Sequence, residues 1–87
     1  MNILKEADII VNKRGEEKER QYGPFISSMA KASRIASEMS SKTITIEDCY
    51  NILIALKFSR ESHSHKEDNL LDACAYIGSL NNYKNGK

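Results

Sequence analysis

The sequence predicts an all-α fold, a compact bundle of about four helices, and three observations carry that reading. Apolar residues recur three and four apart along most of the chain, the spacing that places side chains on one face of a helix. No segment alternates strictly between apolar and polar through the length of a half-buried strand. The breaks, a Gly23-Pro24 step and short polar connectors, cut the chain into pieces of helical length.

The first helix is expected over Asn2 to Arg14, with Ile3, Leu4, Ala7, Ile10 and Val11 on a core face and Lys5, Glu6, Asp8 and Asn12 off it. Gly15 and the run "EEKER", Glu16 to Arg20, form a charged connector over residues 15–23. The connector ends at "QYGPF", because proline disfavours helix in the residue before it. Pro24 suits the first turn of a second helix that runs to Ser40, with Phe25, Met29, Ala32, Ile35, Ala36 and Met39 as its stripe. In "SSKTIT", Thr45 stands three residues before Asp48 and predicts a capping box for a third helix over Ile46 to Ser62. That helix is apolar nearly all round in its middle, which predicts a central position or a subunit interface, with Ile52, Ile54 and Phe58 as interface candidates. Ser64 and Glu67 repeat the capping pattern, so a fourth helix is expected from His65 to Leu80 or Asn81, with Leu70, Ala73, Cys74, Ile77 and Leu80 buried. Residues 82–87 read as a polar tail.

Composition bounds function. Eighty-seven residues, 40% of them hydrophobic and 29% charged, describe one domain over 1–87 with no room for a second core. A chain this short buries little of its surface, so a homo-oligomer or a partner is expected. Thirteen basic and 12 acidic residues, mixed along the chain, leave a net charge of +1. That is no footprint for nucleic acid. The opening residues are interrupted by Lys5, Glu6 and Asp8 and lack a small-residue cleavage site, so no signal peptide is expected. The longest apolar run, "ILIAL" from Ile52 to Leu56, is far below the ~20 residues that span a bilayer. A cytoplasmic protein without direct membrane insertion follows as the expectation. Cys49 and Cys74 lie in apolar helical patterns and read as reduced core thiols. No CxxC or HxxxH pair supports a metal site.

Polar residues inside the last two helices raise the question of a site. Lys57, Arg60 and Glu61 share a face of the third helix; His65, Asp68, Asn69, Asp72 and Tyr76 run along one side of the fourth. Glu67 and Asp68 belong to a first turn, where the helix dipole favours them. Asp72, two turns in, gains nothing from the dipole and predicts a cationic partner, Lys57 or Arg60, across an antiparallel pair. Such a juxtaposition is either an ion-pair network that secures the fold or a small pocket with cations for phosphate and Tyr76 for stacking.

Two resemblances bear on that choice. The segment "DNLLDACAYIGSL" resembles the second half of the metal-binding signature of the all-α NTP pyrophosphatases of the MazG and dimeric dUTPase type. In those enzymes ExxE and ExxD carboxylates from two helices hold Mg²⁺ against a nucleoside triphosphate. Asn69 takes the Glu position here and Asp72 the Asp position, and the second and third helices contain no ExxE. This resemblance implies MazG-like helical packing and an alternative function: a nucleotide-binding protein using Mg²⁺, either a degenerate pyrophosphatase or a nucleotide sequesterer.

The order "RGEE…RQYGPF" then "ALKFSRESHSHKEDNLLDACAYIG" resembles, over nearly the whole chain, a family of short tailed-phage proteins that includes the RIII lysis-inhibition proteins. Its shared positions fall on Arg14, Arg20, Tyr22, Gly23, Lys57, Arg60, His65, Asp68, Asn69, Asp72 and Tyr76. The resemblance implies a phage-encoded accessory antiholin in the host cytosol, which binds the cytosolic domain of the holin, or a complex of holin with periplasmic antiholin, and delays lysis. It implies no active site, cofactor or metal. The expectation is therefore a protein–protein regulator rather than an enzyme.

Overall fold

A computed structural model of the chain describes residues 1–13 and 24–86, and the described residues form four helices and no strand. They are α1 (Ile3–Asn12), α2 (Phe25–Ser40), α3 (Ile46–His63) and α4 (Glu67–Lys84). The 15–23 connector lies outside the described residues, except that α2 begins right after Pro24, where the proline was expected to start it.

Local chemistry sets most boundaries. Asn2 caps α1, its Oδ1 accepting from the Leu4 and Lys5 backbone N–H groups. Thr45 and Asp48 close the expected capping box on α3: Thr45 Oγ1 accepts from Asp48 N at 3.0 Å and Asp48 Oδ2 from Thr45 N at 2.9 Å. α2 ends in Ser41, which takes the left-handed conformation at φ 57°. The connector to α3 then folds back, and Ser33 and Ser37 donate to the Ile44 carbonyl while Ser37 accepts from Ile44 N at 2.9 Å.

Packing is organised around α4. Lys57–Asp72, Tyr50–Ser79 and Glu47–Lys84 contacts run in opposite directions along α3 and α4, so that pair is antiparallel. α1 lies parallel to α4 on its other side: Ala7 packs with Leu71 and Ala75, Val11 lies against Gly78, and Asn82 Nδ2 donates to Asn12 Oδ1 at 2.9 Å. α2 rests on the first part of α3, with Met29 buried. Tyr50 is the largest fully enclosed side chain, at 0% exposure.

Several expectations are corrected. α3 does not hold the middle alone: it packs against α2 and α4, while α4 packs against α3 and α1. Flanked on two sides, α4 buries Asn69, Leu71, Ala73 and Ala75, a wider set than a single stripe, and leaves Ile77 exposed. Leu4 of α1 is exposed. On α2 the serine contacts to Ile44 turn Met29, Ser33, Ala36 and Ser37 inward, so Ala32, Ile35 and Met39 face water. Ser64 ends α3 instead of starting α4, and α4 begins after Lys66 without a side-chain cap. α4 also continues through Lys84, so the first residues read as a polar tail are helical. Among the described residues no helix is long and apolar enough to cross a membrane.

Candidate functional site

The antiparallel register of α3 and α4 brings together many of the polar residues singled out in the sequence. Lys57 Nζ sits 2.7 Å from Asp72 Oδ2, with side-chain exposures of 16% and 38%. The buried end of the pair is the lysine, whose aliphatic stem packs in the seam while its ammonium meets the carboxylate. This is the partner Asp72 requires. Arg60, the other candidate, is exposed one turn away and enters no ion pair among the described residues.

One turn further along, Glu61 is a hub. Its Oε1 accepts from the Lys66 backbone N–H at 3.0 Å and from Asn69 Nδ2 at 3.4 Å, and its Oε2 meets His65 Nδ1. The hydrogen bond with His65, then the one from Lys66, holds the Glu61 carboxyl below its usual range. Glu61 thus does at the start of α4 what the Ser64 capping box was expected to do, accepting an otherwise free backbone donor from the end of the preceding helix. The sequence gives a signal for it: Glu61 and His65 are four residues apart across a tight turn. His65 belongs to this local lock, and Asn69 is buried behind it. Asp68 is exposed and makes no ion pair among the described residues.

Tyr76 is half-buried on α4 and stacked with Phe25 of α2, ring centroids 6.1 Å apart at 19°. Phe25 also meets Tyr50 edge-on at 5.9 Å. One face of Tyr76 is therefore occupied by a protein ring, and the aromatic contact ties α2 to the α3–α4 pair. Arg14, Arg20 and Tyr22, the remaining candidates, lie outside the described residues.

These residues do not make a cradle for Mg²⁺. At the two positions that resemble a Glu-x-x-Asp pair, Asn69 is neutral and Asp72 carries an ammonium against one oxygen. Among the described residues no three His, Cys, Asp or Glu side chains are grouped to hold a metal ion. Cys49 and Cys74 are free thiols, both half-buried.

The interface candidates divide. Ile52 is 62% exposed and Phe58 49%, while Ile54 is half-buried against the body of the protein. Leu56, on the same side as Ile52, is also exposed. The family described as Domain of unknown function (DUF6378) matches residues 2–84 of the chain. No curated protein and no solved structure matches it.

Proposed function

The chain belongs to the DUF6378 family, and from that premise we propose that it is a non-catalytic interaction protein that works through apolar surface. One observation carries the reading. Polar groups of the α3–α4 seam are engaged with one another, Lys57 with Asp72 and Glu61 with His65, Lys66 and Asn69, whereas large apolar side chains stand in water on α2 and α3. Ile35 and Met39, the latter 82% exposed, share the outer flank of α2 with Ala32. A flexible methionine beside a branched side chain suits an apolar partner surface.

The partner proposed is the cytosolic domain of a phage holin, alone or bound to a periplasmic antiholin, met in the host cytosol. Its support is the resemblance to the lysis-inhibition family over nearly the whole chain. In this reading the chain caps apolar surface on the holin domain and so holds back the assembly that opens the membrane.

A second reading rests on Arg60, an exposed cation beside Lys57 with no ion-pair partner among the described residues. Such a cation would serve a nucleotide phosphate. Two measurements separate the readings. Titration of a soluble holin domain should give saturable binding that Met39→Glu weakens at least tenfold. A thermal-shift series with nucleoside triphosphates, with and without Mg²⁺, should be flat; a ligand at 100 times its Kd would add about 2.7 kcal/mol and move the transition by roughly 10 °C or more. A nucleotide shift removed by Arg60→Ala, together with no holin binding, would replace the first reading by the second.

A further inference from the structure

Beyond the exposed apolar side chains that the partner reading uses, the outer side of α3 carries an ordered pattern. From Asn51 to Ser59 every exposed position is uncharged: Asn51, Ile52, Ala55, Leu56, Phe58 and Ser59. A helix turned toward water ordinarily carries its charges on that side, as α2 does with Lys31, Arg34 and Glu38. Lys57 turns into the seam toward Asp72, Arg60 is exposed just past this stretch, and the ends of the outer stripe carry Asp48 and His63.

That stripe holds Asp48, Ile52, Ala55, Leu56, Ser59 and His63, with Ala55 and Leu56 side by side at its middle and each three or four residues from Ile52 and Ser59. Its order is self-complementary. Turned end for end about a point between Ala55 and Leu56, it sets Asp48 opposite His63, Ile52 opposite Ser59 and Ala55 opposite Leu56. Each large apolar side chain then meets a small one, which is what close helix packing requires. At both ends a carboxylate meets an imidazole. Asp48 gives only Oδ2 to the Thr45 cap, and neither Asp48 nor His63 enters an ion pair among the described residues. The helix dipoles run in opposite directions in that pairing, which favours it further.

The geometry points to a second copy of this chain as the occupant: a two-fold dimer in which α3 packs antiparallel on α3 of the partner, centred between Ala55 and Leu56. Both surfaces of a two-fold interface are the same patch, so self-complementarity of charge and of size is the property such a patch must have. An unrelated apolar partner requires no such order. The inference is independent of the holin reading, and the outer flank of α2 remains available in the dimer for another protein.

Paired cysteines test it. Ile52 and Ser59 are seven residues apart on one helix, roughly 10 Å, too far for a disulfide within the chain. Across the proposed two-fold they face each other. Ile52→Cys with Ser59→Cys should give a covalent dimer on mild oxidation, whereas either single variant, which also controls for Cys49 and Cys74, should not. Sedimentation of the unmodified full chain should show a dimer that Ile52→Glu converts to monomer with its helical circular dichroism unchanged, and that His63→Glu weakens at least tenfold. A wild-type monomer at high micromolar concentration overturns the inference. So does a dimer that survives Ile52→Glu, or one in which the paired cysteines fail to link. Loss of holin binding by Met39→Glu with the dimer intact would leave the inference standing and bear only on the partner reading.

Discussion

Replacing Asp72 with alanine should destabilise the fold by about 1.5 kcal/mol, and the structure supplies the working. Lys57 Nζ lies 2.7 Å from Asp72 Oδ2, and the lysine side chain is 16% exposed against 38% for the aspartate. Breaking a fully buried pair by removing one partner costs about 3–5 kcal/mol, because the other charge is stranded. An exposed pair is worth about 0–1 kcal/mol. Here the ammonium is mostly enclosed but the carboxylate reaches water, so the freed ammonium can recover part of its hydration, and a loss of about 2 kcal/mol follows. Alanine's better helix propensity returns up to ~0.7 kcal/mol of that. For a domain of this size the net should lower the melting temperature by roughly 6–12 °C. Glu67→Ala is the control: an exposed first-turn acid contributes ~0.3–1 kcal/mol, and its loss should move the transition by only a few degrees. The double variant Lys57→Met with Asp72→Ala should be more stable than Asp72→Ala alone, because no uncompensated charge remains in the seam. Thermal melts of the four proteins followed by circular dichroism decide the matter. Equal melting temperatures for Asp72→Ala and Glu67→Ala, or a double variant no more stable than Asp72→Ala, would refute the account.

The remaining predictions concern the aromatic anchor, the α1–α4 contact and acid stability. Tyr50→Phe removes the 2.7 Å hydrogen bond between the Tyr50 hydroxyl and Ser79 Oγ at a fully enclosed ring and should cost ~1–2 kcal/mol in urea unfolding. Ser79→Ala added to it should cost little more. Gly78 sits inside α4 with room for a Cβ, whose nearest neighbour would be Val11 Cγ2 at 3.6 Å. Gly78→Ala should therefore raise stability by ~0.5–1 kcal/mol, and a loss would mean that α1 lies closer than this. Glu61 and Asp8 both titrate below their usual values, Glu61 because of His65 and Lys66 and Asp8 because of Asn12 and Lys13. A lowered carboxyl pKa gives stability that is fully present above its unfolded value and lost as pH falls through the folded one. Melting temperature should thus drop in acid below about pH 4.5, and Glu61→Gln should flatten that part of the profile.

Periodicity alone was enough for the fold class, for four helices among the described residues and for the start of α3. Those features are local: a three-and-four spacing and a Thr45–Asp48 box act within one turn and need no distant partner. The Lys57–Asp72 pair was legible for a related reason, since a short connector forces α3 and α4 into an antiparallel hairpin, and an aspartate in mid-helix requires a cation. Tertiary structure decided the rest. Which faces are covered depends on which find neighbours, and α4 is covered on a second side because α1 returns there from more than 50 residues away in sequence. The rotation of α2 was set by Ser33 and Ser37 reaching Ile44, so side chains that read as a core stripe, Ile35 and Met39 among them, ended in water. Both outcomes arise from long-range packing, which periodicity cannot express: a stripe states that a face will be covered, and only the assembled chain shows which face finds its cover within one molecule.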